Sequence, residues 1–271
     1  MALHLGLGKV DEALVRRVCE VAREAGRATL AFHGGPVSVE RKADDSPLTA
    51  ADKAAHTLIV EALRRLTPEL PVLSEESSEE EKAERRQWST FWLVDPLDGT
   101  KEFLKGSGDF TVNIALISGT EPVVGVVHAP VSGVTYWGWR DGGAFMAHPG
   151  GEPVSLHARA ANMERLVVVA SKDHAGPRVE ALLRRLPTAS TASLGSSLKF
   201  CLIAEGRADF YPRFQPTCEW DTAAAQCVLE VAGGAVTDLE GRRLAYNKEQ
   251  LTNPSFLAFG DARQDWLALL D

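Results

Sequence analysis

The chain has 271 residues, of which 45% are apolar and 24% charged. That length admits one large domain or two closely packed ones, and the charge fraction is ordinary for a globular protein. A net charge of −8 excludes the basic footprint of a protein that grips polymeric nucleic acid. Bound cations could still reverse the local field and admit a small anionic substrate.

Residues 10–32 carry Leu14, Val18, Val21, Ala25 and Ala28 on one stripe, which predicts an amphipathic helix ended by Gly34-Gly35-Pro36. Val37 to Lys42 alternates like a strand, and Asp44 to Pro47 reads as a turn. A second helix is expected over Thr49 to Leu66, with Leu58, Ile59, Ala62, Leu63 and Leu66 inward. Pro71 to Ser74 is a short strand running into Glu75 and Glu76, and Glu79 to Arg86 is a solvated charged segment. Phe91 to Val94 is an apolar strand ending at Asp95. Phe110–Ile117, Val123–His128 and Val134–Trp139 follow as an antiparallel meander, with Trp92 and Trp137 as strand core.

The Pro/Gly-rich run His148 to Pro153 marks a boundary, dividing an N-terminal α+β part (1–150) from a C-terminal α/β part (151–271). Beyond it the pattern alternates: a strand at Leu166–Ala170, helices over 175–186, 197–205 and 221–232, and a strand near Ala235–Thr237. Cys19, Cys201, Cys218 and Cys227 form no C-x-x-C pair and read as small buried hydrophobes. The seven histidines are scattered without a ligand spacing. The opening MALHLGLGKVDE has neither a basic region nor a long apolar stretch, so no secretory leader is expected. No apolar run approaches the ~20 residues of a membrane span. A reducing cytoplasm fits best, although peripheral association with a membrane stays compatible with the sequence.

The most informative stretch is Trp92-Leu93-Val94-Asp95-Pro96-Leu97-Asp98-Gly99-Thr100. A buried strand delivers Asp95 to its carboxyl end, and Asp98 sits one tight turn further on, so both carboxylates can face one point. Gly99 permits a backbone conformation that other residues resist. Hard oxygen ligands at this spacing suit Mg²⁺, with the Leu97 carbonyl between them as a further ligand. Glu75 and Glu76 repeat the grammar of a strand followed by acids. Adjacent strand residues point to opposite faces, so at most one of them shares a site with Asp95. Asp221 and Asp52 each lie at a helix start, where an acid also serves as a cap.

Together, Leu-Thr-Ala-Ala-Asp52, Leu-Ser-Glu75-Glu-Ser, Asp95-Pro-Leu-Asp-Gly-Thr100 and Trp220-Asp221 with Ala-Gly-Gly downstream resemble the inositol monophosphatase-like superfamily of metal-dependent, lithium-sensitive phosphatases. Their order and spacing match over nearly the whole chain. Lys101-Glu102-Phe103, Ser171-Lys172-Asp173-His174 and Gly195-Ser196-Ser197-Leu198-Lys199-Phe200-Cys201 with Tyr211-Pro212-Arg213-Phe214 look like its 3′(2′),5′-bisphosphate nucleotidase branch. Lys172 and Asp173 depart from that branch's pattern.

The resemblance implies a layered αβαβα sandwich, with the site between the two parts. It implies that Glu75, Asp95, Asp98, Asp221 and the Leu97 carbonyl hold two or three Mg²⁺ ions. Asp52 and Thr100 would activate water, and the N–H groups of Gly99 and Thr100 would face the phosphate. His174, Lys199 and Arg213 are candidates for the second phosphate of a nucleotide bisphosphate. Adenosine 3′,5′-bisphosphate is the implied substrate, within sulfur metabolism. An inositol or sugar phosphatase is the alternative, and a catalytically silent metal-binding regulator a distant one. The oligomeric state is open, and a homodimer is compatible with the sequence.

Overall fold

A computed structural model of the chain describes residues 10–35, 39–41, 47–171 and 176–270. In chain order its elements begin with α1 (Glu12–Leu30), β1 (Val39–Arg41), β2 (Pro47–Thr49), α2 (Ala50–Leu66), β3 (Val72–Ser74), α3 (Glu79–Glu84) and β4 (Thr90–Asp98). The short helix α4 (Thr100–Leu104) is followed by β5 (Thr111–Ser118), β6 (Glu121–Ala129), β7 (Val134–Trp139), β8 (Gly143–Ala147) and β9 (Val154–Ser155). The remainder comprises β10 (Val167–Ser171), α5 (Gly176–Arg185), β11 (Ser190–Leu194), α6 (Leu198–Ala204), β12 (Phe210–Arg213), α7 (Glu219–Val231), β13 (Ala235–Asp238) and β14 (Phe256–Phe259). Among the described residues no helix is long and apolar enough to cross a membrane.

Strands β3 to β9 pair in sequence order into one seven-stranded sheet, parallel only between β3 and β4. A five-stranded sheet has the order β11-β10-β12-β14-β13 and mixes parallel with antiparallel pairs. Strand periodicity sorts the side chains into layers. Trp92 and Val94 of β4, with Val112, Ile114 and Leu116 of β5, pack against Val18 of α1 and Ile59 and Leu63 of α2. Their neighbours Phe91, Leu93, Ala115 and Ile117 face the other way, onto Phe200 of α6, Ala224 and Val228 of α7, and the inner face of the second sheet. That sheet's outer face, with Val168, Phe210 and Leu257, is covered by Leu182 of α5 and by Trp266. The result is the expected α/β/α/β/α order.

Two local devices matter for the site. Gly125 on β6 lets α7 lie close to the sheet: a Cβ there would stand 2.1 Å from the Ala224 carbonyl oxygen. At the end of β4 the ladder pairs Asp95 with Asn113 but Asp98 with Thr111. Three steps on β4 thus span two on β5, a bulge that bends the chain and re-aims both carboxylates.

The structure departs from the expectations at several points. Glu75 and Glu76 lie on a turn after β3, not within a strand. The bulge extends strand pairing past Asp95 to Asp98. Helix α7 starts at Glu219, which puts Asp221 at the third helical position. Strands β2, β8, β9, β11, β12 and β14 have no counterpart among the expected elements. The charged segment forms α3, yet the Arg85 that follows it is buried and donates to the Lys82, Lys248 and Glu249 carbonyls at 2.7, 2.6 and 3.0 Å. The expected turn at Asp44 to Pro47 falls largely outside the described residues, as do Pro36 and, from the expected first strand, Val37, Ser38 and Lys42.

Candidate active site

Asp95, Asp98 and Asp221 come together from opposite parts of the chain: their carboxylate oxygens lie within 4.8 Å of one another. Each is held by local chemistry. Asp95 Oδ1 accepts the Leu97 N–H at 3.0 Å, fixing the turn after the strand. Asp98 Oδ2 accepts from Asn113 Nδ2 at 3.4 Å. Asp221 Oδ2 accepts the Cys218 N–H at 2.8 Å, so the same carboxylate caps α7 and faces the cluster. Glu75, whose N–H bonds to the Val94 carbonyl at 3.0 Å, lines the same groove of about 410 Å³, as do Leu97, Gly99 and Thr100.

The electrostatics show which charge this cluster favours among its members. Burial, then the charges of Glu75, Asp98 and Asp221, holds the Asp95 carboxyl well above the usual carboxylate range. Burial and Asp98 do the same to Asp221. Asp98 is pushed up to about 6 by burial, against the pull of the Lys199 ammonium. Acids this close resist full ionisation unless cations lie among them. The donors are all oxygens, from carboxylates on β4, on α7 and on the turn after β3, and that set fits a hard divalent cation such as Mg²⁺.

Gly99, with φ +94°, begins α4 in the left-handed region, and a Cβ there would stand 3.3 Å from the Asp109 carbonyl oxygen. Thr100 Oγ1 lies 3.4 Å from the Leu97 carbonyl oxygen. Asp52 is buried at the third position of α2. Its Oδ2 accepts the Thr49 N–H at 2.8 Å and the Thr49 hydroxyl at 2.5 Å. The adjacent Ala51 packs in one small cluster with Leu97, Phe103 and Phe110, which sets the start of α2 beneath the Asp95–Thr100 turn.

A second cavity, about 320 Å³, opens beside the groove and shares Asp98, Gly99 and Asp221 with it. Lys199 and Arg213 line this cavity. Lys199 is 5% exposed, its Nζ donating to the Ser196 and Leu194 carbonyls at 2.5 and 3.5 Å, and burial lowers its pKa to about 8. Arg213 donates to the Gln215 and Pro216 carbonyls at 3.1 and 3.4 Å. His174 lies outside the described residues, together with Lys172 and Asp173.

Sequence reasoning missed the polar chain beneath Asp98. Asn113 Oδ1 accepts from Ser197 Oγ at 2.8 Å, and Ser197 Oγ lies 2.9 Å from Thr111 Oγ1. Asn113, Ser197 and Thr111 are all buried. The signal was present: Thr111 and Asn113 are polar residues at the start of a largely apolar β5, directly opposite Asp98 and Asp95 of β4. Cys218, expected in the core, is only half-buried and edges the groove.

The fold and the carboxylate cluster define the class, and the Inositol monophosphatase family pattern matches residues 7–267. The chain belongs to that family. It is 47% identical over 246 residues to the 3′(2′),5′-bisphosphate nucleotidase CysQ of Salmonella typhimurium, covering 90% of this chain and 98% of that protein. The same figures hold for CysQ of Escherichia coli K12. Among solved structures, CysQ from Bacteroides thetaiotaomicron superimposes with a TM-score of 0.78 at 38% identity, covering 92% of this chain and 97% of that one. The extragenic suppressor protein SuhB from Bartonella henselae gives 0.79 at 26%, covering 96% and 99%. Backbone shape therefore does not separate the two relatives, while sequence identity favours CysQ.

Proposed function

We propose that the chain is a 3′(2′),5′-bisphosphate nucleotidase that hydrolyses the 3′-phosphate of adenosine 3′,5′-bisphosphate to AMP and phosphate. The observation that carries this reading is the continuity of the two cavities. An acidic groove suited to cations and the phosphate under attack opens, through Asp98, Gly99 and Asp221, into a cavity with Lys199 and Arg213. A substrate with two separated phosphates fits such a pair better than one with a single phosphate. The CysQ relatives at 47% identity support the same substrate class.

Glu75, Asp95, Asp98, Asp221 and the Leu97 carbonyl would hold two or three Mg²⁺ ions. When bound, these ions supply charge neutralisation, water activation and leaving-group stabilisation. The chain's own residues do the rest. Thr100 Oγ1 and Asp52 orient the attacking water, and Asp52 takes up its proton through the threonine hydroxyl. The N–H groups of Gly99 and Thr100 stand at the start of α4, where helix geometry leaves them without an intrahelical acceptor, and they bind phosphate oxygens. Water adds to phosphorus, the bond from phosphorus to the ribose 3′ oxygen breaks, and that oxygen gains a proton. Lys199 and Arg213 bind the phosphate that stays, with His174 as a further donor. In this reading residues 1–150 carry most ligands, and residues 151–271 supply Asp221 and specificity.

The test compares phosphate release from adenosine 3′,5′-bisphosphate and adenosine 3′-monophosphate. A strong preference for the bisphosphate, collapsing in Lys199→Met and Arg213→Met, supports the reading. Equal rates on both substrates would refute the second-phosphate role.

A further inference from the structure

On the face of the seven-stranded sheet covered by α1, a cavity of about 540 Å³ lies between that helix and the 148–153 turn. Arg16, Arg23 and Arg27 of α1 and His128 of β6 line it, with Glu152 as the acidic member of its wall. A cluster of three arginines runs against the average of a chain whose net charge is −8.

The three arginines differ in how far their charges are already answered. Arg16 donates to Glu12 at 2.9 Å and lies over the Trp137 ring at 5.1 Å. Arg23 is half-buried and donates through Nε to Thr135 Oγ1 at 3.1 Å, and no carboxylate among the described residues pairs with it. Among the described residues its two terminal amino groups have no acceptor and remain as donors. Arg27 has Glu24 at 3.9 Å, with both side chains more than half exposed. Arg23 and Arg27 are four residues apart, so they stand one helical turn, about 6 Å, from each other along the axis.

Thr135 links Arg23 to His128. His128 Nδ1 lies 3.0 Å from Thr135 Oγ1, the oxygen that also accepts from Arg23. The Thr135 hydroxyl hydrogen can therefore go to Nδ1, which leaves a neutral imidazole. Burial and the Arg23 charge favour the same form, lowering the His128 pKa to about 4. The imidazole thus adds no competing positive charge, and the unmet charge rests on Arg23, with Arg27 held only loosely by Glu24 at 3.9 Å beside it. A half-buried guanidinium without a counter-charge is costly, and an anion in the cavity would offset that cost.

We propose that this cavity is a second anion site, separate from the carboxylate groove, that takes a small multivalent phosphate between Arg23 and Arg27. Arg16 and Glu152 edge it. The planar forks of two arginines one turn apart suit adjacent phosphoryl groups better than a single carboxylate.

Inorganic pyrophosphate is the probe. The full chain is titrated calorimetrically in EDTA, which removes cations that would draw phosphate to the acidic groove. One binding event is expected, weakened at least tenfold in Arg23→Gln and in Arg27→Gln, and retained in Lys199→Met. Arg27 is largely exposed, so its variant reports on binding even if loss of the Arg23–Thr135 bond disturbs folding. Absence of binding to the unaltered chain would overturn the proposal. So would undiminished binding in Arg27→Gln, or loss of binding in Lys199→Met instead.

Discussion

Replacing Asp98 by Asn removes one negative charge from the carboxylate cluster while keeping the hydrogen-bonding shape of the side chain. In the folded, metal-free chain Asp98 holds its proton up to about pH 6, against 3.8 for an unperturbed carboxyl. Between those values the native state binds more protons than the unfolded state, so stability falls as pH rises through that window. A shift of about two units corresponds to roughly 3 kcal/mol. Partial solvent contact reduces this to about 1–2 kcal/mol. For a chain of this size, that is a rise of about 2–8 °C in Tm for Asp98→Asn in EDTA at pH 8. The gain should shrink toward zero at pH 4, where Asp98 is protonated in the folded chain in any case. Mg²⁺ at 100 times its Kd should raise the unaltered chain by about 2.7 kcal/mol, and the variant should lose most of that response. Thermal unfolding at both pH values, with and without Mg²⁺, checks all three points. Equal or lower stability of the metal-free variant at pH 8 would refute the argument that burying a charged Asp98 strains the cluster.

Other consequences follow from individual contacts. Asn113→Ala and Ser197→Ala break the polar chain that tethers Asp98, and each should weaken Mg²⁺ affinity by about 10–100-fold, read by Mg²⁺ titration of activity. Lys199→Met should raise KM for the bisphosphate by at least tenfold with a smaller effect on the 3′-monophosphate, since a charge-assisted contact is worth about 1.5–3 kcal/mol. Gly125→Ala sets a Cβ against the Ala224 carbonyl oxygen and should cost about 1–3 kcal/mol in denaturant unfolding, by pushing α7 off the sheet. Because Asp95 and Asp221 also carry raised pKa values, Mg²⁺ binding should release protons, and apparent affinity should rise with pH; calorimetry in buffers of different ionisation enthalpy measures this.

The amphipathic helices, the meander and the convergence at Asp95 and Asp98 are legible in the sequence because each rests on local pattern. Helix α1 has a continuous apolar stripe, and β4 is an apolar run ending in acids. The strands that the pattern does not announce lack such marks. Strand β11 is mostly solvent-facing Ser, Thr and Ala, and β12 contains Pro212, which signals against a strand. Strand β14 is four apolar residues, too short for its period to speak. The end of β3 at Ser74 is legible, but reading Glu75 and Glu76 as strand neighbours on opposite faces misses the turn, which depends on Ser77, whose hydroxyl accepts the Ser74 N–H at 3.2 Å. The chain from Asp98 through Asn113 to Ser197 spans 84 positions between its last two members, a separation that no local pattern reports. The burial of Lys199 is hidden for a similar reason. Helix α6 is buried from Lys199 to Ala204, so no polar face announces which lysine turns inward.

The most direct test of the account is Mg²⁺-dependent phosphate release from adenosine 3′,5′-bisphosphate and inositol 1-phosphate, side by side, with Asp98→Asn as control. The account predicts a strong preference for the nucleotide, with both the preference and the rate lost in the variant. Preference for inositol 1-phosphate would contradict the substrate assignment while leaving the metal chemistry standing, and full activity of Asp98→Asn would contradict the site itself.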